Sequence, residues 1–150
     1  MTVPSSTRPV PQVLLNVLDT CANIKAQAQN AVTTLSAGLV SSDYIFRLLD
    51  HLRDAMVALN TWKSVTGLDA RATGDCPGYL GTLSTEITTT VNAAQTCIDW
   101  VVTNFPKDNT AVFILSHQLN ADGTRTPRSF SSAATAGLRT QLNALVATIG

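Results

Sequence analysis

Four stretches of this chain repeat apolar residues at helical spacing, and that periodicity restricts the fold more than any other feature. Between Gln12 and about Leu39, Leu14, Cys21, Ala28 and Leu35 fall on one line, with Val17, Ile24, Ala31 and Gly38 on the adjacent one. A helix patterned this way presents a narrow seam of small residues. Another helix, of the same chain or of another subunit, can approach such a seam closely. Gly38 and the Ser41-Ser42-Asp43 cluster then mark a stop and a new N-cap, with Asp43 suited to the positive end of the next helix dipole. In the second stretch Ile45, Leu48, Leu49, Leu52, Ala55, Met56, Leu59 and Trp62 form a broad apolar stripe that Gly67 is placed to end. Asp43 and Arg47 make an i,i+4 pair on its wet side.

The third stretch runs from about Thr82 to Phe105, with Leu83, Ile87, Val91, Ala94, Ile98, Val101 or Val102, and Phe105 in period and Pro106 as the stop. Its weak point is Thr88-Thr89-Thr90, three β-branched residues in a row, which predicts a frayed or bent first half. In the fourth, Ser131 or Ser132 caps a helix that puts Leu138, Leu142, Leu145, Val146 and Ile149 on one side.

Between these helices the punctuation differs. From Gly67 to Gly81 the chain is rich in Gly and holds Pro77, so a structured loop is expected, with one helical turn around Leu68 to Ala72 and Tyr79 and Leu80 as tethers. Ala111-Val112-Phe113-Ile114-Leu115, continuing to Leu119, reads as a strand, Asn120 to Gly123 as a tight turn, and Thr124 to Phe130 as a return strand that Pro127 confines to an edge. The expected fold class is therefore mainly α: a four-helix up-down bundle with a β-hairpin, about residues 111–130, inserted between the third and fourth helices. Residues 12–150 make one helical domain. Residues 1–11 contain Pro4, Pro9 and Pro11 and read as an extended N-terminal arm.

Composition narrows the partners. Only 13% of residues are charged, about half the usual share of roughly 25%, and hydroxyl and amide side chains take up the difference. Such a surface has little long-range repulsion between copies and suits a subunit of an assembly, and equally a secreted or low-charge bacterial protein. Net charge is zero, so specific nucleic-acid binding is not expected. No apolar run is long enough to span a bilayer and the first residues have no apolar signal core, which predicts no membrane partner and a cytosolic site of production.

The residue types that carry chemistry are scattered. His51 sits beside Asp50 on the second helix, an arrangement typical of a solvated face. Ser116 and His117 point to opposite faces of a strand and do not form a nucleophile and base. Glu86 is the sole glutamate, the glycines form neither a dinucleotide nor a phosphate loop, and Cys21, Cys76 and Cys97 lack metal-ligand spacing. No catalytic residue, cofactor, metal or small-molecule substrate is expected, and the chain is read as a non-enzyme. Cys76, in its Pro/Gly loop, is the thiol placed for an intersubunit contact or crosslink, an ordinary free thiol being the plainer reading. Trp62 and Trp100 read as core or interface aromatics. Arg125, Arg128 and Arg139 make a short basic cluster of the solvated kind.

The run Tyr44-Ile45-Phe46-Arg47-Leu48-Leu49-Asp50 through Asn60-Thr61-Trp62-Lys63, with the ending Leu138-Arg139-Thr140-Gln141-Leu142-Asn143-Ala144-Leu145, resembles small helical proteins of tailed-phage structural modules. The proline-rich arm and the hairpin are similar to the plan of head-to-tail adaptor subunits, which stand in rings and reach neighbours through terminal segments or hairpins. The long first helix departs from that plan. The resemblance implies a non-enzymatic virion subunit, assembled in the host cytoplasm, at a connector or neck position. It implies partners among copies of itself and other virion structural proteins, with Val112, Phe113, Ile114, Arg125 and Arg128 as expected interface residues. The competing expectation is a cytosolic helical binding module or regulator whose apolar stripes close one monomeric core.

Overall fold

The computed structural model describes residues 12–65, 67–75, 82–104, 117–119, 121–127 and 129–150. The chain is mainly helical. Helix α1 spans Gln12–Ser36, α2 Ser42–Lys63, α3 Leu68–Asp75, α4 Leu83–Asn104 and α5 Ala136–Ile149. Strands β1 (Val40–Ser41), β2 (His117–Leu119), β3 (Arg125–Pro127) and β4 (Ser129–Phe130) are short. The expected arm over residues 1–11 and the strand residues 111–116 lie outside the described residues.

The apolar periods account for what is buried. On α1, Val17, Cys21, Ile24, Ala28, Ala31 and Leu35 are all in the core. Their neighbour is internal: α1 makes its most extensive contact with α5 of the same chain. Ile45, Leu48, Leu49, Leu52 and Leu59 of α2 are buried, with Ala55, Met56 and Trp62 half-buried against them. On α4 the period selects Val101, leaving Val102 39% exposed. Leu138, Leu142, Leu145 and Ile149 of α5 are enclosed. Contacts join α1 to α2 and α5, and α4 to the same two helices, so the four long helices share one core.

Several boundaries differ from expectation, each for a local reason. Helix α1 stops at Ser36, so Gly38 lies beyond it rather than on its seam. Helix α2 ends at Lys63, where the Ser64 N–H donates to Thr61 O and the chain leaves before reaching Gly67. Its N-cap is Ser41, whose Oγ accepts from the Tyr44 N–H at 3.4 Å. Among the described residues the ion pair on α2 joins Arg53 to Asp50 at 3.6 Å, in place of the expected Asp43 and Arg47. The threonine run of α4 is regular helix. Thr88, Thr89 and Thr90 each donate a hydroxyl to the carbonyl four residues back, which lets Thr90 be fully buried without an unmet polar group.

Helix α3 is longer than the single turn expected. Leu68 and Ala72 are buried, and the tether is Asp69, whose carboxylate accepts from the Ser84 N–H at 2.7 Å and the Ser84 hydroxyl at 2.6 Å. Ser84 lies in the first turn of α4, where backbone N–H groups have no intrahelical acceptor and the dipole favours an anion. The expected tethers Tyr79 and Leu80 are outside the described residues.

The return strand divides between two partners. Strand β3 pairs antiparallel with β2 in the register His117 to Pro127, Gln118 to Thr126 and Leu119 to Arg125. Strand β4 turns instead to β1, with Val40 opposite Phe130 and Ser41 opposite Ser129. Both Val40 and Phe130 are buried, so this two-residue ladder fastens the hairpin's base to the α1–α2 connection. In the hairpin turn Asp122 accepts from the Thr124 N–H and hydroxyl, bonds that lower its pKa, and Gly123 supplies the φ of 86°. The N-cap of α5 is Thr135, without a side-chain cap bond, rather than the expected Ser131 or Ser132, and Ser131 Oγ accepts from the Ala134 N–H in the turn before it.

Two substitutions test this packing. A β-carbon on Gly137 would collide with the Trp100 ring, so α5 meets α4 through a glycine seated on the indole. Gly137→Ala is expected to lower stability. Overpacking costs about 1–3 kcal/mol and outweighs the roughly 1 kcal/mol gained by replacing glycine in a helix. A higher melting temperature by circular dichroism would show that α5 is not so closely set. Asp69→Ala is expected to cost about 1–2 kcal/mol, in the range of a lost N-cap, read as a shift of the urea midpoint without change in slope.

Candidate functional site

On the outside of the molecule the α1–α2 contact is the least extensive of the four seams between the long helices, and a groove opens along it. One hollow of about 280 Å³ is lined by Gln27, Asn30, Tyr44, Arg47, Leu48 and His51. A second, of about 180 Å³, is lined by Thr20, Asn23, Ile24, Gln27, His51, Asp54 and Ala55. Gln27 and His51 line both, so the hollows adjoin.

Helical geometry explains the lining. Thr20, Asn23, Gln27 and Asn30 recur at three- and four-residue steps and share one face of α1, while Tyr44, Arg47, His51 and Asp54 do the same on α2. The helices run antiparallel, which sets Asn30 near Tyr44 and Arg47, and Asn23 near Asp54. Ile24 and Leu48, both buried, give the groove an apolar floor. Among the described residues no hydrogen bond or ion pair of these eight polar side chains crosses from one wall to the other. The wall of α1 offers amides and a hydroxyl. The wall of α2 offers a phenol, a guanidinium, an imidazole and a carboxylate, with the cation and the anion two turns apart.

His51 is thus exposed, as its position on a wet face predicts, but it lines a groove that the sequence did not disclose. Each wall alone looks like an ordinary solvated face. The available signal was that two such polar lines belong to helices joined by a short connection, and so stand side by side. His117 lies in β2 opposite Pro127, on a different element from His51. Arg125 is in β3 opposite Leu119. Cys76, Val112, Phe113, Ile114 and Arg128 lie outside the described residues. Arg139, expected to be solvated, is half-buried and donates from Nη2 to the Ser132 carbonyl at 2.6 Å. Trp62 and Trp100 pack half-buried on the core.

Cys21 and Cys97 are free thiols inside the helical core. Burial raises the Cys21 pKa to about 11 and that of Cys97 to about 12, because the uncharged core disfavours a thiolate. Among the described residues no three His, Cys, Asp or Glu side chains stand together in a metal-holding group, and no helix is long and apolar enough to cross a membrane. Since the thiolate is the nucleophile, Cys21 and Cys97 are expected to resist iodoacetamide at pH 8 in the folded protein and to react in guanidinium. Peptide mass spectrometry reads the outcome, and labelling of either residue under native conditions would contradict its enclosure.

Compared with protein-family models, with curated proteins and with solved structures, the chain finds no match.

Proposed function

We propose that the protein is a non-enzymatic structural subunit of a tailed-phage virion, at a connector or neck position, built as a four-helix up-down bundle with the hairpin inserted before its last helix. The observation that carries this reading is the hairpin. Among the described residues, β2 and β3 make their principal contacts with each other, and β4 fastens their base to β1. A two-stranded hairpin is marginal in water by itself, and its outer edges present unpaired backbone donors and acceptors. Pairing with a neighbouring subunit satisfies both conditions, and repetition around a ring satisfies them for every copy. The low charge of the chain removes much of the repulsion that opposes such crowding. The most extensive contact of α1 is with α5 of the same chain, so in this reading the hairpin is a contact between copies.

The α1–α2 groove favours a second reading, a cytosolic binding module with a monomeric core, and one experiment separates the two. Replacing residues 117–127 by a short Gly-Ser linker should leave the helical circular dichroism intact. On the virion reading the unaltered protein forms a discrete complex larger than the monomer by light scattering and takes its place in assembled particles. The linker variant is then monomeric and is left out of the particle. A wild-type protein that stays monomeric at millimolar concentration and is missing from particles would refute the virion reading.

A further inference from the structure

We propose that the outer edge of β2 is a strand-pairing surface for the β2 of a second copy of this chain, the two hairpins joining about a twofold axis into one four-stranded antiparallel sheet. This rests on the reading of the hairpin as a contact between copies and deepens it, but does not depend on the virion setting.

The missing N–H of a proline fixes which backbone groups are open. In an antiparallel ladder, pairs that exchange both N–H···O=C bonds alternate with pairs that exchange none. Pro127 stands opposite His117 and has no N–H to give, so that pair exchanges none. Gln118 and Thr126 are therefore the exchanging pair, and Leu119 and Arg125 again exchange none. It follows that His117 and Leu119 turn their backbone groups away from β3, while Arg125 and Pro127 turn theirs away from β2. The outer edge of β2 thus offers an N–H and a C=O at both positions. The outer edge of β3 offers both at Arg125 but only the carbonyl at Pro127, which blunts it as an edge.

Among the described residues, β1 and β4 pair with each other and β3 is the strand beside β2, so the chain itself supplies no second neighbour for β2. A helix cannot serve that edge, because its own turns use its backbone donors and acceptors. An extended strand with the same two-residue period can. A second copy brings one, and the bonds it can form select the edge and the register. With His117 opposite Leu119 of the second copy, and Leu119 opposite its His117, each pair exchanges two bonds, four in all, and Gln118 lies opposite Gln118 on the axis. Pairing β2 with β3 of another copy loses the bond that Pro127 cannot donate, leaving three, and pairing β3 with β3 loses it twice, leaving two. With histidine neutral the sequence of β2 carries no formal charge, whereas β3 holds Arg125, so two β2 edges meet without repulsion. The same patch serves both copies, and a ring would then repeat dimers.

The test begins with the full unaltered chain. Light scattering is expected to show a dimer at high concentration, and amide hydrogen exchange read by NMR is expected to slow at His117 and Leu119 as the dimer forms. Exchange at Gln118, bonded inside each hairpin, and at Arg125, on the blunted edge, should not depend on concentration. Leu119→Pro removes one outward donor from each copy and spares the inner pair. With its helical circular dichroism unchanged, it should raise the dimer dissociation constant by about tenfold or more. Leu119→Val keeps the donor and should dimerise as the unaltered chain does. Concentration-dependent protection at Arg125 in place of Leu119, a dimer as tight in Leu119→Pro as in the unaltered chain, equal loss in Leu119→Val, or a monomer at millimolar concentration would each overturn the proposal. A monomer that still takes its place in particles would overturn this pairing alone. A dimer that is weakened by Leu119→Pro but missing from particles would uphold the pairing and overturn the virion reading.

Discussion

The structure depends on the burial of α5 between α1 and α4. That helix is 14 residues long, a length marginal for an isolated helix in water, and its order therefore comes from tertiary contact. Four of its side chains, Leu138, Leu142, Leu145 and Ile149, are wholly enclosed. It packs on both α1 and α4, and Gly137 on α5 itself leaves room for the Trp100 ring. Polar contacts then hold the two ends. Arg139 reaches back to the Ser132 carbonyl, and Lys25 Nζ of α1 donates to the Gly150 backbone oxygen at 2.9 Å, where the helix dipole is negative.

A low-charge surface raises the question of how these helices stay solvated, and the hydroxyls answer part of it. Thr33, Thr61, Thr89, Thr96, Thr140 and Thr148 all direct their hydroxyl donors to the carbonyl four residues back. A threonine so bonded has committed its hydroxyl proton, and its oxygen keeps only acceptor capacity toward water. The exposed faces of α4 and α5 are thus less hydrophilic than their composition suggests. Charge collects instead on α2, which carries Asp43, Arg47, Asp50, Arg53, Asp54 and Lys63, whereas α1 has Asp19 and Lys25, α4 has Glu86 and Asp99, and α5 has Arg139.

How much of this was legible depended on the length of each signal. The stripes of α1, α2, α4 and α5 each repeat over several turns, so their buried residues could be named from spacing. Among the described side chains of helix α3, Leu68 and Ala72 mark its inner face, and its tether is a carboxylate that accepts from a donor fifteen residues away. The β1–β4 ladder pairs two residues with two across ninety positions of sequence, and no periodicity exists at that length. The groove was hidden for another reason. It is a property of two polar faces set beside each other, and polar spacing on one helix carries no mark of what stands opposite. Of the expected interface residues, Arg125 alone falls among the described residues, in β3.

The division of charge between α2 and the remaining helices bears on how the molecule would sit among neighbours. A face dense in alternating acids and bases loses much hydration when buried, and the ion pairs it forms return little in exchange. The outer sides of α4 and α5, with methyl groups, amides and few charges, incur a smaller desolvation cost. A large flat contact would therefore cost least hydration on the outer sides of α4 and α5.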